Sequence, residues 1–410
     1  MSNVSILLAW RNLWRHKRRT WLTVGAMIFS NSLLVFSISL QFGSYEMMID
    51  NTLQAFSGHI QLQHEQYLDD PKMRHNLPEI IATAQRLRDE LKLENVGARA
   101  VGFALASSSD RSYGIQVLGV EPLFEGRVSS IPGLVHEGRY LEKDSYDEIV
   151  IGSTLARNLK IATGDELTFL GSGLDNSFAA GVVRVVGTFE SGMPDLDRNL
   201  AQVSLNYFND SFAMRGKGHS IAVRAGNIEA VAGLKASIEA LLKNQSDLAV
   251  RHWEELQPGL KQAIQADMTS AWFMYLVLII LVAFSVLNTQ LMSVLERTRE
   301  FGTMMALGLK PSNLSRLVIA ETFLMSSLGL LLGIAVGFVI TWYLSVVGFY
   351  YPGMEEMAVK FNLPDRMYPE INPVSLLLGP CMVAFASLLA SIYPATRLYR
   401  LLPVEAMRAV

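Results

Sequence analysis

The side chains in this chain that could do chemistry are few and poorly spaced for it. His59 and His64 stand five residues apart. That misses the i, i+4 spacing of a helical metal pair, and in a strand it would aim the rings at opposite faces. They read as satisfied or surface histidines. Glu190, Asp195 and Asp197 crowd a Gly/Pro-containing stretch and read as a solvated turn. No G-x-x-x-x-G-K-[S/T] phosphate loop occurs, and Gly216-Lys217-Gly218 is only a turn fragment. No G-x-S-x-G nucleophile motif occurs either. Cys381 is the single cysteine and lies in an apolar run, which excludes a disulfide framework. The expectation is a chain with no catalytic residue, no cofactor and no metal of its own.

The elements around these residues explain the scarcity. Charged residues make up 18% of the 410, against about 25% in soluble proteins. Apolar residues gather in four runs: 21–42, 270–294, 317–347 and 374–394. Each reaches the roughly 20 residues that a helix needs to cross a bilayer. Three runs are uncharged, the last with Pro380 inside it, and the third holds one acid, Glu321. A single ionisable group is too few for an ion or proton relay, which argues against a channel or secondary transporter. The first run is longer than the roughly 7–15 residues of a signal-peptide core and reads as an uncleaved anchor. Nucleic acid is not an expected partner, because the only dense basic stretch is a short one near the N-terminus.

Lysines and arginines near span ends set orientation. Arg11, Arg15, Lys17, Arg18 and Arg19 precede the first run without any acid. Arg297, Arg299, Lys310 and Arg316 lie between the second and third, and Arg397, Arg400 and Arg408 follow the fourth. Segment 43–269 has 21 bases against 30 acids, a net of −9, and 348–373 has Lys360 and Arg366 against Glu355, Glu356, Asp365 and Glu370. The expected topology places both termini and 295–316 in the cytoplasm, with 43–269 and 348–373 outside.

Within that plan, 1–20 reads as a cytoplasmic amphipathic segment. Ile6, Trp10, Leu13 and Trp14 share one helical face, and Arg11, Arg15 and Arg18 another. Such a helix suits the lipid headgroup level, though it could also simply extend the first span. Segment 43–269 reads as a mixed α/β domain. Strand 58–64, helix 78–91 and strand 96–106 form one β-α-β half. Strand 220–224, helix 228–242 and strand 248–253 form another. Two such halves can share a sheet, with a β-rich second lobe at 113–205 inserted between them. Gly329, Gly333 and Gly337 recur every four residues in the third run. They mark either a close helix seam, within the bundle or across a dimer, or the ordinary glycine enrichment of membrane helices. The fold class is thus an α-helical membrane protein with four transmembrane helices and a large mixed α/β extracytoplasmic domain between the first two.

Three segments carry a resemblance. They are Leu8-Ala9-Trp10-Arg11-Asn12-Leu13-Trp14-Arg15-His16-Lys17-Arg18-Arg19-Thr20, then Glu296-Arg297-Thr298-Arg299-Glu300-Phe301-Gly302-Thr303-Met304-Met305-Ala306-Leu307-Gly308, then Tyr393-Pro394-Ala395-Thr396-Arg397 with Pro403-Val404-Glu405-Ala406-Met407-Arg408. In this order and at these span ends, the chain resembles the MacB/FtsX-type permeases of ABC transporters, the mechanotransmission class. Phe189-Glu190-Ser191-Gly192-Met193 and Asp197-Arg198-Asn199-Leu200-Ala201 resemble a periplasmic stretch of its lipoprotein-releasing LolC/LolE type. Residues 171–181 look short for the carrier-recruiting loop of the LolC type.

The resemblance implies a permease subunit in the bacterial inner membrane. It implies a separate ABC ATP-binding subunit that holds ATP and Mg, and a second permease copy or related chain. A lipoprotein, lipid or other hydrophobic substrate, and a periplasmic carrier, are the further partners it brings, beside membrane lipids. The rival reading is an FtsX-like signalling subunit that activates a periplasmic partner without transport. Force from the ATPase is expected to enter at 300–313, with Arg299, Glu300, Gly302, Gly308, Pro311, Ser312, Asn313 and Leu314 as coupling residues. Gly308 stops a helix and Pro311, with Ser312 and Asn313, starts the next. Leu314 and Leu317 are expected on the docking face. Glu300 is expected to pair with Arg297 or with a base on the partner; a plain cytoplasmic turn is the alternative.

Overall fold

The computed structural model describes residues 3–15, 17–109, 111–243, 247–350, 352–353 and 366–401, with side chains at 3–6 and 229 left aside. Ile6, Lys360, Glu355, Glu356, Asp365 and the 403–408 motif lie outside the described side chains or residues. The chain divides into two compact units, 1–45 with 263–351 and 366–410, and 46–262 with 352–365.

In the first unit the four apolar runs lie within α2 (Lys17–Thr52), α10 (Pro258–Glu296), α12 (Pro311–Val347) and α13 (Pro373–Arg397). Among the described residues these are the helices long and apolar enough to cross a membrane. Thirty-six residues at 1.5 Å each make α2 about 54 Å long, well beyond the roughly 30 Å hydrocarbon layer. Small residues bring α2 and α12 together. A Cβ at Gly329, Gly333 or Gly337 would fall 2.6, 2.5 or 2.9 Å from the Cβ of Met27, Asn31 or Val35. The approach frees polar side chains to bond across it. Asn31 Nδ2 donates to Gly329 O at 3.1 Å and Ser32 Oγ to Gly333 O at 3.1 Å. The glycine stripe is therefore a seam inside this bundle. Met27, Leu34 and Ile38 of α2 pack with Tyr275, Ile279, Val282 and Val286 of α10 and Val383 of α13.

The second unit is built on one sheet. Its strands are β1 (Ile60–His64), β2 (Val96–Ser107), β3 (Ser112–Val120), β4 (Val135–Gly138), β5 (Glu148–Gly152), β6 (Glu166–Ser172), β7 (Phe178–Phe189), β8 (Leu200–Ser204), β9 (Ser220–Val223) and β10 (Leu248–His252). They run in the order β10-β1-β9-β2-β3-β8-β5-β7-β4, with β6 bridging β2 and β7. The two β-α-β halves meet here: β1 lies antiparallel between β10 and β9, and β9 beside β2. Helix α3 (Ile80–Leu91) joins β1 to β2 and buries Ile80, Ala84 and Leu87; the short helices α4 (Pro122–Val128), α5 (Ser153–Leu159), α6 (Pro194–Asn199) and α7 (Leu205–Ser211) lie between later strands; α8 (Ile228–Leu241) joins β9 to β10, and α9 (Trp253–Leu256) follows β10. Strand β2 explains how the inserted strands attach. One edge of it pairs with β3, while along the other its first residues pair with β9 and its last with β6. The β-rich stretch at 113–205 thus joins the same sheet through β2. The β6–β7 hairpin is paired out to Ser172 and Phe178, so its tip is short.

One expectation about the acids changes. Asp197 is not solvated: it sits in the short helix Pro194–Asn199, is 5% exposed, and accepts from Ser191 N at 2.8 Å and Ser191 Oγ at 2.7 Å. The turn is tied from within because its carboxylate satisfies the loop's own donors. His59 is buried, its Nε2 3.1 Å from Asp50 Oδ1. His64 stacks on His75 with ring centroids 5.1 Å apart. Among the described residues no three His, Cys, Asp or Glu side chains converge as metal ligands would.

Candidate coupling junction

The ends of five helices in the first unit meet around a set of charges. Helix α1 (Asn3–Arg15) precedes α2 and packs along α12, with Ala9 against Leu317 and Ala320, and Leu13 against Val24 and Met325. Its apolar inner face is therefore protein-covered. Trp10 points away and is partly exposed, with its ring in an edge contact with Trp14, which meets Trp21 in turn. The face that Trp10 shares with Leu13 and Trp14 is thus only partly covered by protein. Tight packing against α12 selects the smaller Ala9 and Leu13 for the inside, and leaves Trp10 and Arg11 outside.

Helix α11 (Thr298–Ala306) follows α10 after a break at Arg297, where φ is −100° and ψ 11°. It ends before Gly308, whose φ of +96° only glycine adopts cheaply, and Pro311 opens α12. Space does not select Gly308, since a Cβ there would meet nothing. Conformation does. The exposed residues of this reversal include Arg299, Gly308, Asn313 and the apolar Leu307 and Leu309, while Pro311 and Ser312 are half-buried. Gly302 is buried.

Leu314 is not on an outer face. It is 1% exposed and packs with Val294, Phe301, Val318, Ala395 and Leu398. Leu317 is 6% exposed and faces Ala9 of α1. Both are core residues of this end of the bundle, and charge at either would break the fold instead of probing a docking surface. The physical reason is that α12 starts only three residues earlier and is already inside the bundle by its first full turn.

The charges form a chain in which the expected Arg297–Glu300 pair is one link; sequence reading missed the others. Arg297, 6% exposed, donates through Nη1 to both oxygens of Glu321 at 2.9 and 3.1 Å, and through Nε to Glu300 at 3.3 Å. Its guanidinium lies 5.0 Å from the Phe301 ring centroid. Asn12 Nδ2 donates to Glu321 Oε1 at 2.8 Å. Arg15 pairs with Glu300 at 2.9 Å in a more exposed setting. Nearby, Arg19 Nη1 reaches Glu296 and Arg19 Nη2 reaches Ser293 Oγ, both at 2.8 Å. Glu321 offered one signal in the sequence: a lone acid in an apolar run must find a partner or line a cavity. Nothing local said that the partners stand 24 residues before it and more than 300 away.

Residues 20–241, more than half of the chain, match the family model of the MacB-like periplasmic core domain, and 272–403 match that of the FtsX-like permease C-terminal region. The chain is 25% identical over 322 residues to the lipoprotein-releasing system transmembrane protein LolC of Xylella fastidiosa, across 71% of this chain and 72% of LolC. It is 22% identical over 395 residues to the transmembrane protein LolE of Haemophilus influenzae, across 92% and 91%. The crystal structure of the MacB periplasmic region from Actinobacillus actinomycetemcomitans aligns with a TM-score of 0.38 at 14% identity, over 53% of this chain and 97% of that one.

Proposed function

Because the chain belongs to the MacB/FtsX-type ABC transporter permeases, close to the LolC/LolE type, we propose that it couples ATP hydrolysis on a separate subunit to motion of its extracytoplasmic domain. It is a multi-pass inner-membrane protein of the bacterial type. Both termini and α11 face the cytoplasm in this reading, as the lysine and arginine asymmetry supports. A second permease, either a copy or a related chain, completes the membrane unit. ATP and Mg belong to the ATP-binding subunit, since this sequence has no phosphate loop. The substrate is a lipoprotein, lipid or other hydrophobic molecule taken from the outer leaflet or the periplasm. The near absence of ionisable groups in the spans supports a substrate that does not pass through this chain's interior.

One observation carries the reading: the tight reversal between α11 and α12 presents Leu307, 79% exposed, and Leu309, and the helices it joins are tied by the buried Arg297–Glu321 pair. An exposed apolar tip on a rigid base suits seating in a partner's cleft. ATP-driven closure beneath the membrane pushes α11, and α2 and α10 carry the displacement outward. The test is purification in mild detergent with Leu307→Asp and Leu309→Asp together. The wild-type chain brings down an ABC ATP-binding subunit and a second permease, and the double variant loses the ATPase while staying inserted. Retention of the ATPase by that variant would place the docking site elsewhere. A co-purified periplasmic hydrolase, with no lipid or lipoprotein, would favour the signalling alternative.

A further inference from the structure

The charges at the junction close on themselves. Asn12 and Arg15 are three apart on α1, which puts them on one helix face. Asn12 bonds Glu321 of α12; Glu321 bonds Arg297 at the α10–α11 joint; Arg297 bonds Glu300 of α11; Glu300 bonds Arg15 of α1. The ring holds two cations and two anions and is neutral. Its inner members, Arg297 and Glu321, are 6% and 5% exposed, while Arg15 and Glu300 open toward water. Backbone packing alone would not tie α1 to α11: Ala9 and Leu13 of α1 rest on α12, and the buried face of α11, through Phe301, rests on Val294, Val318 and Leu398. Among the described side chains, the polar ring joins the two helices.

We propose that Glu321 is the positioning residue of the coupling joint: it holds Arg297 and Asn12 together, so that α1, α11 and the start of α12 move as one body. Force received by α11 then reaches the N-terminal helix and α12 directly, in addition to α10. Only the second part of the test below rests on the proposed coupling to an ATPase.

Spin labels at Arg11→Cys and Thr303→Cys, both exposed positions, on a Cys381→Ser background read the α1–α11 distance in nanodiscs. The chain alone gives one narrow distance. Arg297→Met with Glu321→Met removes the ring without leaving a buried orphan charge, a replacement that cores often accept. It keeps the wild-type helical content and melting behaviour but gives a broad distribution shifted to longer distances. Glu300→Gln, on the exposed side, gives a smaller broadening in the same direction, and decides the matter if the Met pair does not fold. A distribution as narrow as wild type in a folded ring-less variant overturns the proposal. In the second part, ATP and vanadate trap the complex with its ATPase. An unchanged α1–α11 distance in the wild type is expected, and a shifted one overturns the single-body assignment. If no ATPase binds, the functional reading fails while the first part still decides the ring.

Discussion

Among the described residues, two arginine–glutamate pairs have both side chains less than 9% exposed, one in each unit, and they differ in what lies beyond them. In the sheet domain, Arg99 and Glu125 are 1% and 0% exposed. Arg99 Nε and Nη2 both reach Glu125, at 3.1 and 2.6 Å, and Nη1 donates to Phe56 O. Beside it Arg88 bonds Glu121 and Val96 O, and Glu121 also accepts from Ala98 N. Each of these bonds returns to backbone or side chain of the same sheet and its neighbouring helices. At the membrane-unit junction the bonds run from Arg297 outward to Glu300 and the exposed Arg15. The first arrangement is a closed clasp, which fixes a fold. The second has a wet side: it ties helix ends together while Arg15 and Glu300 stay open to water. Burial of an ion pair by itself says neither; the next bond along decides.

The largest loss of stability follows when the clasp is cut on one side. Arg99→Met leaves the Glu125 carboxylate unpaired at zero exposure, and the chain loses about 3–5 kcal/mol, read as an early loss of protease resistance by 46–262 in detergent. Arg99→Met with Glu125→Met recovers most of that loss. A single variant as stable as wild type would mean that the clasp is slack.

Acid sharpens the same contrast. His219 donates its backbone N–H to Arg99 O and accepts from Val101 N through Nδ1 at 2.9 Å. Burial pushes its imidazole down from 6.5 to about 4. The neutral form is favoured in the folded state, so the unfolded chain takes the proton first. Stability is full above pH 6.5 and falls as pH drops toward 4, by about 3 kcal/mol over that window. His219→Gln keeps an acceptor for Val101 N and flattens this slope in pH-dependent denaturant titrations. An unchanged slope in His219→Gln would move the acid sensitivity to another group.

The seam between α2 and α12 should respond by less. At Gly333 a Cβ would stand 2.5 Å from Asn31 Cβ. Gly333→Val then costs about 1–3 kcal/mol through forced separation of the helices, seen as a lowered melting temperature in detergent. Gly25, with nothing within 4 Å of an added Cβ, tolerates alanine without such a drop. The smallest effect belongs to the open edge of the ring. Arg15→Ala removes an exposed pair and changes stability by less than about 1 kcal/mol, even though it opens the ring, as thermal unfolding in detergent checks. A larger loss would show that the edge is not open after all.

Legibility followed the same division. Composition and periodicity carry information about neighbours in sequence, so four apolar runs, the β-α-β order around α3 and α8, and the glycine stripe can all be read directly. The stop at Gly308 and start at Pro311 are local backbone chemistry and equally readable. Sequence could not say which leucines near Pro311 face inward, because α12 is amphipathic only against helices that arrive from elsewhere. Leu314 therefore looked like a docking residue and is core. Asp197 looked solvated because its partner, Ser191, depends on how the intervening loop folds back. Glu321 is the sharpest case. The sequence determined that one acid would stand in an apolar helix, and tertiary structure alone decided its meaning. Helices α1, α10 and α11 converge on it, and a carboxylate out of water is stable only where donors from distant segments meet it.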